Sequence, residues 1–232
     1  GQPPSAILRA LARSITPFMM ALTPALIMTF KSEFEIIDLI SQSQLPTRAV
    51  DAFSLSVIKM DRQIRKLFTY LVFQSRAFGQ DDIGRLREVL GASRDAYFEG
   101  FERAINVLYR TPVQNMVGYQ YAELKVAVKD AIAVRNKVFH GQLTQRSLKR
   151  ERLEELSYDI RQWCSNLARG ASEEVGYDGF ERPSFRKGPA NVVDGLRIQL
   201  PTPEAYQAFI IRHVERRRVR PNGLQAEAIN DD

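Results

Sequence analysis

The stretch RAVDAFSLSVIKMDRQIRKLFTYLVFQSRAF, residues 48–78, decides the fold. Val50, Val57, Ile64, Leu67, Phe68 and Leu71 recur at intervals that lay one apolar stripe along an α-helix. Thr47 stands where an N-cap belongs and Gly79 where a helix stops, so the spacing predicts one helix from Arg48 to about Phe78. A helix of that length with a single oily face is stable only against other helices or a sheet. The neighbouring sequence supplies helices.

Downstream, helical patterns run from Asp81 to Leu90 and from Ser93 to Tyr109, the latter broken by Thr111-Pro112. A long helix follows from about Asn115 or Tyr119 to Phe139, with Leu124, Val128, Ala131 and Val138 on one face and Gly141 as its stop. Arg150 to Arg169 carries Leu153, Leu156, Ile160, Trp163 and Leu167. Upstream lie two shorter helices, Ser5–Ile15 and Ser32–Ser41. After Gly170 the composition shifts to Gly176, Gly179, Pro183, Gly188, Pro189 and Gly195, an irregular stretch. Gly195 to Leu200 alternates as a short strand would, and Thr202-Pro203-Glu204 reads as N-cap, N1 and N2 of a closing helix to about Arg218. The expected architecture is therefore mainly all-α. It has a helical extension over residues 1–46, a helical core over 47–170 and a short mixed, basic C-terminal appendage over 171–232.

Composition narrows the function classes. At 232 residues with 44% hydrophobic and 26% charged side chains, the chain has the make-up of a folded globular protein. One cysteine, Cys164, excludes an internal disulfide and fits a reducing, cytoplasmic setting. Two histidines and that cysteine are too few for a Cys₄, Cys₂His₂ or His₃ zinc site in one chain, and no metal or cofactor is expected. P-loop, dinucleotide, GxSxG and HExxH signatures are absent from the sequence. The apolar segment Ile15–Phe30 holds Pro17 and Pro24 and is shorter than the roughly 20 residues of a membrane span, so it reads as buried or partner-facing helix. No secretory leader and no membrane association are expected.

The net charge of +6 is unevenly placed. From Arg182 to Arg220 there are nine lysines and arginines against three acids, so this tail carries the whole excess. Arg212, Arg216, Arg217, Arg218 and Arg220 cluster at its end, and arginine suits planar recognition of phosphate. A basic tail on a neutral body fits a polyanion such as a nucleic acid, and on an RNA these arginines would make phosphate contacts blind to base sequence. Complementing the dipole of the closing helix is the other use of the same arginines.

Two charges interrupt apolar stripes. Arg135 falls in the series Leu124, Val128, Ala131, Arg135, Val138, and Asp61 in the series Val57, Asp61, Ile64, Phe68. A guanidinium on such a face must meet a carboxylate, a solvent cleft or a second subunit. Asp61 is its natural partner and would orient it. His140 follows Arg135 by five residues, about 140° away on an ideal helix, so the two converge only if His140 leaves the helix, which Gly141 permits. Cys164 beside Trp163 reads as a buried thiol, and His213 in the closing helix as a packed or surface residue.

The segment Arg135-Asn136-Lys137-Val138-Phe139-His140-Gly141, at the end of a long helix and followed by another, resembles the motif of the HEPN superfamily. These are small helical-bundle proteins that include endoribonuclease toxins and antiviral-defence effectors. The resemblance covers about residues 47–170 and implies a HEPN-like bundle. It also implies metal-independent cleavage of RNA at a composite site in a homodimer, with an antitoxin or sensor protein as a further partner. Within it Arg135, Asn136 and His140 take the catalytic positions. In the subgroup paired with nucleotidyltransferase antitoxins a tyrosine stands two places after the histidine; here that place is Gln142. The chemistry of the residues is compatible: an imidazole exchanges protons with a 2′-hydroxyl or a leaving 5′-oxygen, and a guanidinium stabilises charge on the scissile phosphate. The competing reading is a noncatalytic helical module that binds nucleotide, RNA or a protein partner, with Arg135 and His140 structural.

Overall fold

A computed structural model describes residues 24–93, 95–139, 149–181 and 183–216. The expected helix Ser5–Ile15, most of the Ile15–Phe30 segment, Gly141, Gln142, and the site residues His140, Arg217, Arg218 and Arg220 lie outside the described residues. The architecture is all-α: α1 (Pro24–Gln42), α2 (Arg48–Phe73), a 3₁₀ turn (Gln80–Asp82), α3 (Ile83–Ala92), α4 (Phe98–Leu108), α5 (Val113–Val117), α6 (Tyr121–Phe139), α7 (Arg150–Val175), α8 (Ala190–Asp194) and α9 (Pro203–His213). No helix among them is long and apolar enough to cross a membrane.

α2 is the central post. Val57, Ile64, Leu67, Phe68 and Leu71 are fully buried, and α1, α4, α6 and α7 all pack against this helix. Its stripe is wide because it serves several neighbours at once. Thr47 flanks the start without a side-chain capping bond, and the helix ends five residues earlier than the spacing suggests. Past Phe73 the ammonium of Lys187 donates to the Phe73 and Ser75 carbonyls at 2.5 and 2.8 Å, filling terminal acceptors that a further turn would have used.

α7 runs past Gly170 to Val175, beyond the end at Arg169 that composition indicates. Gly170 serves packing rather than termination: a Cβ there would lie 1.9 Å from the carbonyl oxygen of Met116, where α5 crosses. Gly176, at φ 70°, makes the actual stop, its amide bonding the Ser172 carbonyl at 3.0 Å. Trp163, wholly buried, packs with Phe98 and Tyr121 and ties α7 to α4 and α6.

Residues 171–216 belong to this same core rather than hanging from it. Tyr177, Phe180, Val192, Leu200, Tyr206, Ile210 and Val214 are all buried. The Tyr70 hydroxyl donates to the Val175 carbonyl at 2.7 Å, and the Gln63 amide to the carbonyls of Cys164 and Asp178. α9 packs against α3 and α4, and its Tyr206 and Phe209 rings reach Phe68 of α2. The expected strand Gly195–Leu200 is not formed. Its alternation is used in a single antiparallel bridge, Leu196 with Tyr109, flanked by Arg110 N–H to Gly195 carbonyl and Arg197 N–H to Leu108 carbonyl bonds of 2.9 Å. The end of a helix offers one extended residue to pair with, so a ladder has nothing to grow on. The Thr202 cap is formed, its hydroxyl accepting from the Ala205 amide at 3.2 Å.

Candidate functional site

Asp61 projects from the middle of α2 and Arg135 from the last turns of α6. Their nearest charged atoms are 3.7 Å apart, with the arginine side chain 28% and the aspartate 33% exposed. The pair therefore stands at the mouth of a cleft instead of inside the core, and the stripe positions mark the rim where apolar packing gives way to solvent.

That cleft is a cavity of about 290 Å³ into which three guanidinium groups, Arg65, Arg135 and Arg216, and two carboxylates, Asp61 and Asp95, are gathered. Tyr97, Phe98 and Phe101 form its aromatic wall. Arg65 lies one helical turn beyond Asp61 on α2, its guanidinium 5.2 Å from the Phe101 ring centre. Arg216 arrives from the far end of the chain. After α9 the backbone turns back along α4: Glu215 pairs with Ala96 in an antiparallel bridge, and the Arg216 amide reaches the Asp95 carbonyl at 3.3 Å. The Ser93 hydroxyl and the Glu215 carboxylate close the same junction at 2.8 Å. The guanidinium of Arg216 then sits 4.9 Å from the Tyr97 ring centre.

This approach requires Gly100. Built with a Cβ, residue 100 would meet the Val214 carbonyl oxygen at 1.9 Å, so only glycine lets the chain lie so close on α4.

The cleft gathers three positive and two negative side chains. Burial holds the Asp61 carboxyl above the ordinary aspartate value even though Arg135 and Arg65 pull it the other way, and Glu99 adds to the rise. A phosphate or carboxylate entering the cleft would meet planar donors from three separate elements. Among the described residues no group of three His, Cys, Asp or Glu is placed to hold a metal ion.

Of the residues singled out by sequence, Asp61, Arg135 and Arg216 converge on this cleft, and Arg212 lines the cavity beside it. Asn136, the next residue on α6, is half-buried and does not line the cleft. His140 and Arg217, Arg218 and Arg220 lie outside the described residues. Arg65, Asp95, Tyr97 and Arg103 escaped the sequence reading. Arg65 had a signal, four residues after Asp61 on one helix face; the loop residues Asp95 and Tyr97 had none. Arg216, from the basic C-terminal stretch, shares a cavity with Arg135 of the motif. Comparison of the chain with protein-family models, with curated proteins and with solved structures finds no match.

Proposed function

We propose that this protein is a metal-independent endoribonuclease of the HEPN type, with the phosphate backbone of RNA lying in the Arg65–Arg135–Arg216 cleft. The observation that supports this reading is the convergence of two further guanidinium groups, Arg65 and Arg216, on Arg135, the arginine that the motif singles out. Arg135 holds the scissile phosphate and stabilises the charge that grows on it, while Asp61 orients the guanidinium. The 2′-hydroxyl oxygen attacks phosphorus, its proton passes to a base, and the 5′-oxygen leaves with a proton from an acid, giving a 2′,3′-cyclic phosphate. His140 is the residue suited to these transfers. A homodimer about a twofold axis supplies a second copy, so that one imidazole serves as base and the other as acid. Asn136 anchors the motif. A toxin or antiviral-defence role, with an antitoxin or sensor as partner, goes with this activity.

The test is incubation of the purified protein with total RNA in excess EDTA, beside Arg135→Ala and His140→Ala. Cleavage by the wild type alone, with cyclic or hydrolysed 2′,3′-phosphate ends, is the expected result. Cleavage that disappears with chelator and returns with Mg²⁺ overturns the mechanism. The cleft also suits a noncatalytic binding module, because the guanidinium groups described in it can bind an anion without transforming it. Tight RNA binding with no cleavage in any of these reactions would select that reading.

A further inference from the structure

Tyr97 is the shared wall of two cavities. The second, about 460 Å³, is lined by Tyr97, Arg103, Arg212 and His213. Among the described residues its lining holds no carboxylate, in contrast to the first cavity, where Asp61 and Asp95 face the arginines.

Arg103 is held ready. Its Nε donates to the His213 carbonyl at 2.9 Å and its Nη1 to the Tyr97 hydroxyl at 3.2 Å, with the guanidinium 5.7 Å from the Tyr97 ring centre. A guanidinium has five N–H donors, so these bonds fix its plane and leave donors for a ligand. An arginine already pinned loses little side-chain freedom when an anion arrives. Arg212, exposed in the last turn of α9, adds a second guanidinium that no hydrogen bond or ion pair among the described residues engages.

We infer that this cavity is a second phosphate subsite. A single RNA strand crosses Tyr97 with one phosphate on Arg65, Arg135 and Arg216 and a neighbouring phosphate on Arg103 and Arg212. The inference rests on the proposal that RNA occupies the first cleft. It gives that site a direction along the strand and a preference for a chain of phosphates over a single nucleotide.

Arg212→Gln is the test variant, because Arg212 holds no other described residue in place. Binding of a short fluorescent oligouridylate to the full chain, in the His140→Ala background that keeps the probe intact, is followed by anisotropy at several salt concentrations. The expected result is several-fold weaker binding and a salt slope reduced by about 0.7, the value for one phosphate contact on a single strand. Uridine monophosphate binding should stay unchanged, and Arg212→Lys should restore the slope. With His140 present, the variant should raise KM and leave kcat alone. An unchanged slope in Arg212→Gln, or an equal loss for the mononucleotide, overturns the subsite. Arg135→Gln in the same titration separates the two claims. If it weakens binding and Arg212→Gln does not, only the second subsite fails; if neither does, RNA does not lie in this cleft at all.

Discussion

Replacing Gly100 by alanine tests how the cleft is assembled. The added Cβ would lie 1.9 Å from the Val214 carbonyl oxygen and 2.7 Å from its carbonyl carbon. Both are backbone atoms, so no rotamer change relieves the clash and the 214–216 segment must move off α4. Val214 is fully buried, and complete loss of packing for a side chain of that size costs about 1.5–3 kcal/mol. The hydrogen bond from Arg216 to the Asp95 carbonyl contributes about 1 kcal/mol more. Against these stands the helix preference of alanine over glycine, at most about 1 kcal/mol. The balance is a loss of about 2 kcal/mol, read by urea unfolding followed by circular dichroism, accompanied by weaker oligouridylate binding as Arg216 leaves the cleft. Gly84→Ala is the control, because nothing lies within 4 Å of a Cβ there; it should be neutral or slightly stabilising. A Gly100→Ala protein as stable as Gly84→Ala, with unaltered binding, would refute the reasoning.

Asp61 and Arg135, 3.7 Å apart and each about one-third exposed or less, should show a coupling of about 1 kcal/mol in a double-mutant cycle by urea unfolding, below the roughly 3–5 kcal/mol for breaking a fully buried pair; zero coupling would remove Asp61 as the group that orients the arginine. Because burial raises the Asp61 carboxyl above its unfolded value, the folded state holds the proton longer, so this group's contribution to stability falls as pH rises from the ordinary aspartate range through the folded value. Asp61→Asn should therefore gain stability relative to wild type across that interval, and a difference that is flat with pH would contradict the assignment. Cys164 is fully buried, and burial pushes its thiol well above the usual cysteine value. A disulfide-exchange reagent should label it only on unfolding, and fast labelling of the native protein would show that the α7 face opens.

The extent of the legible part follows from what periodicity encodes. The stripes of α2, α6 and α7 were readable because burial on one face repeats at the helical period, and Leu153, Leu156, Ile160, Trp163 and Leu167 are all fully buried. Charges that break a stripe were readable for the same reason, and Asp61 and Arg135 do meet. The glycines were less so. Gly170 reads locally as a stop, yet its role is the close crossing of α5, a contact between residues far apart in the chain.

The sequence by itself therefore determined the helical class, the central helix, the Thr202 cap and the two charges at the edge of the core. Each of these depends on neighbours within a turn or two. Only the tertiary structure decided that the stretch after Gly170 is part of the core and that Arg216 reaches the same cavity as Arg135. It also decided that Tyr97 stands between two arginine-lined cavities. The reach of Arg216 into that cavity hangs on Gly100 admitting the Val214 carbonyl oxygen from more than a hundred residues away. Local pattern carries no record of such a contact, because the constraint acts on the space between two backbones and not on either one alone.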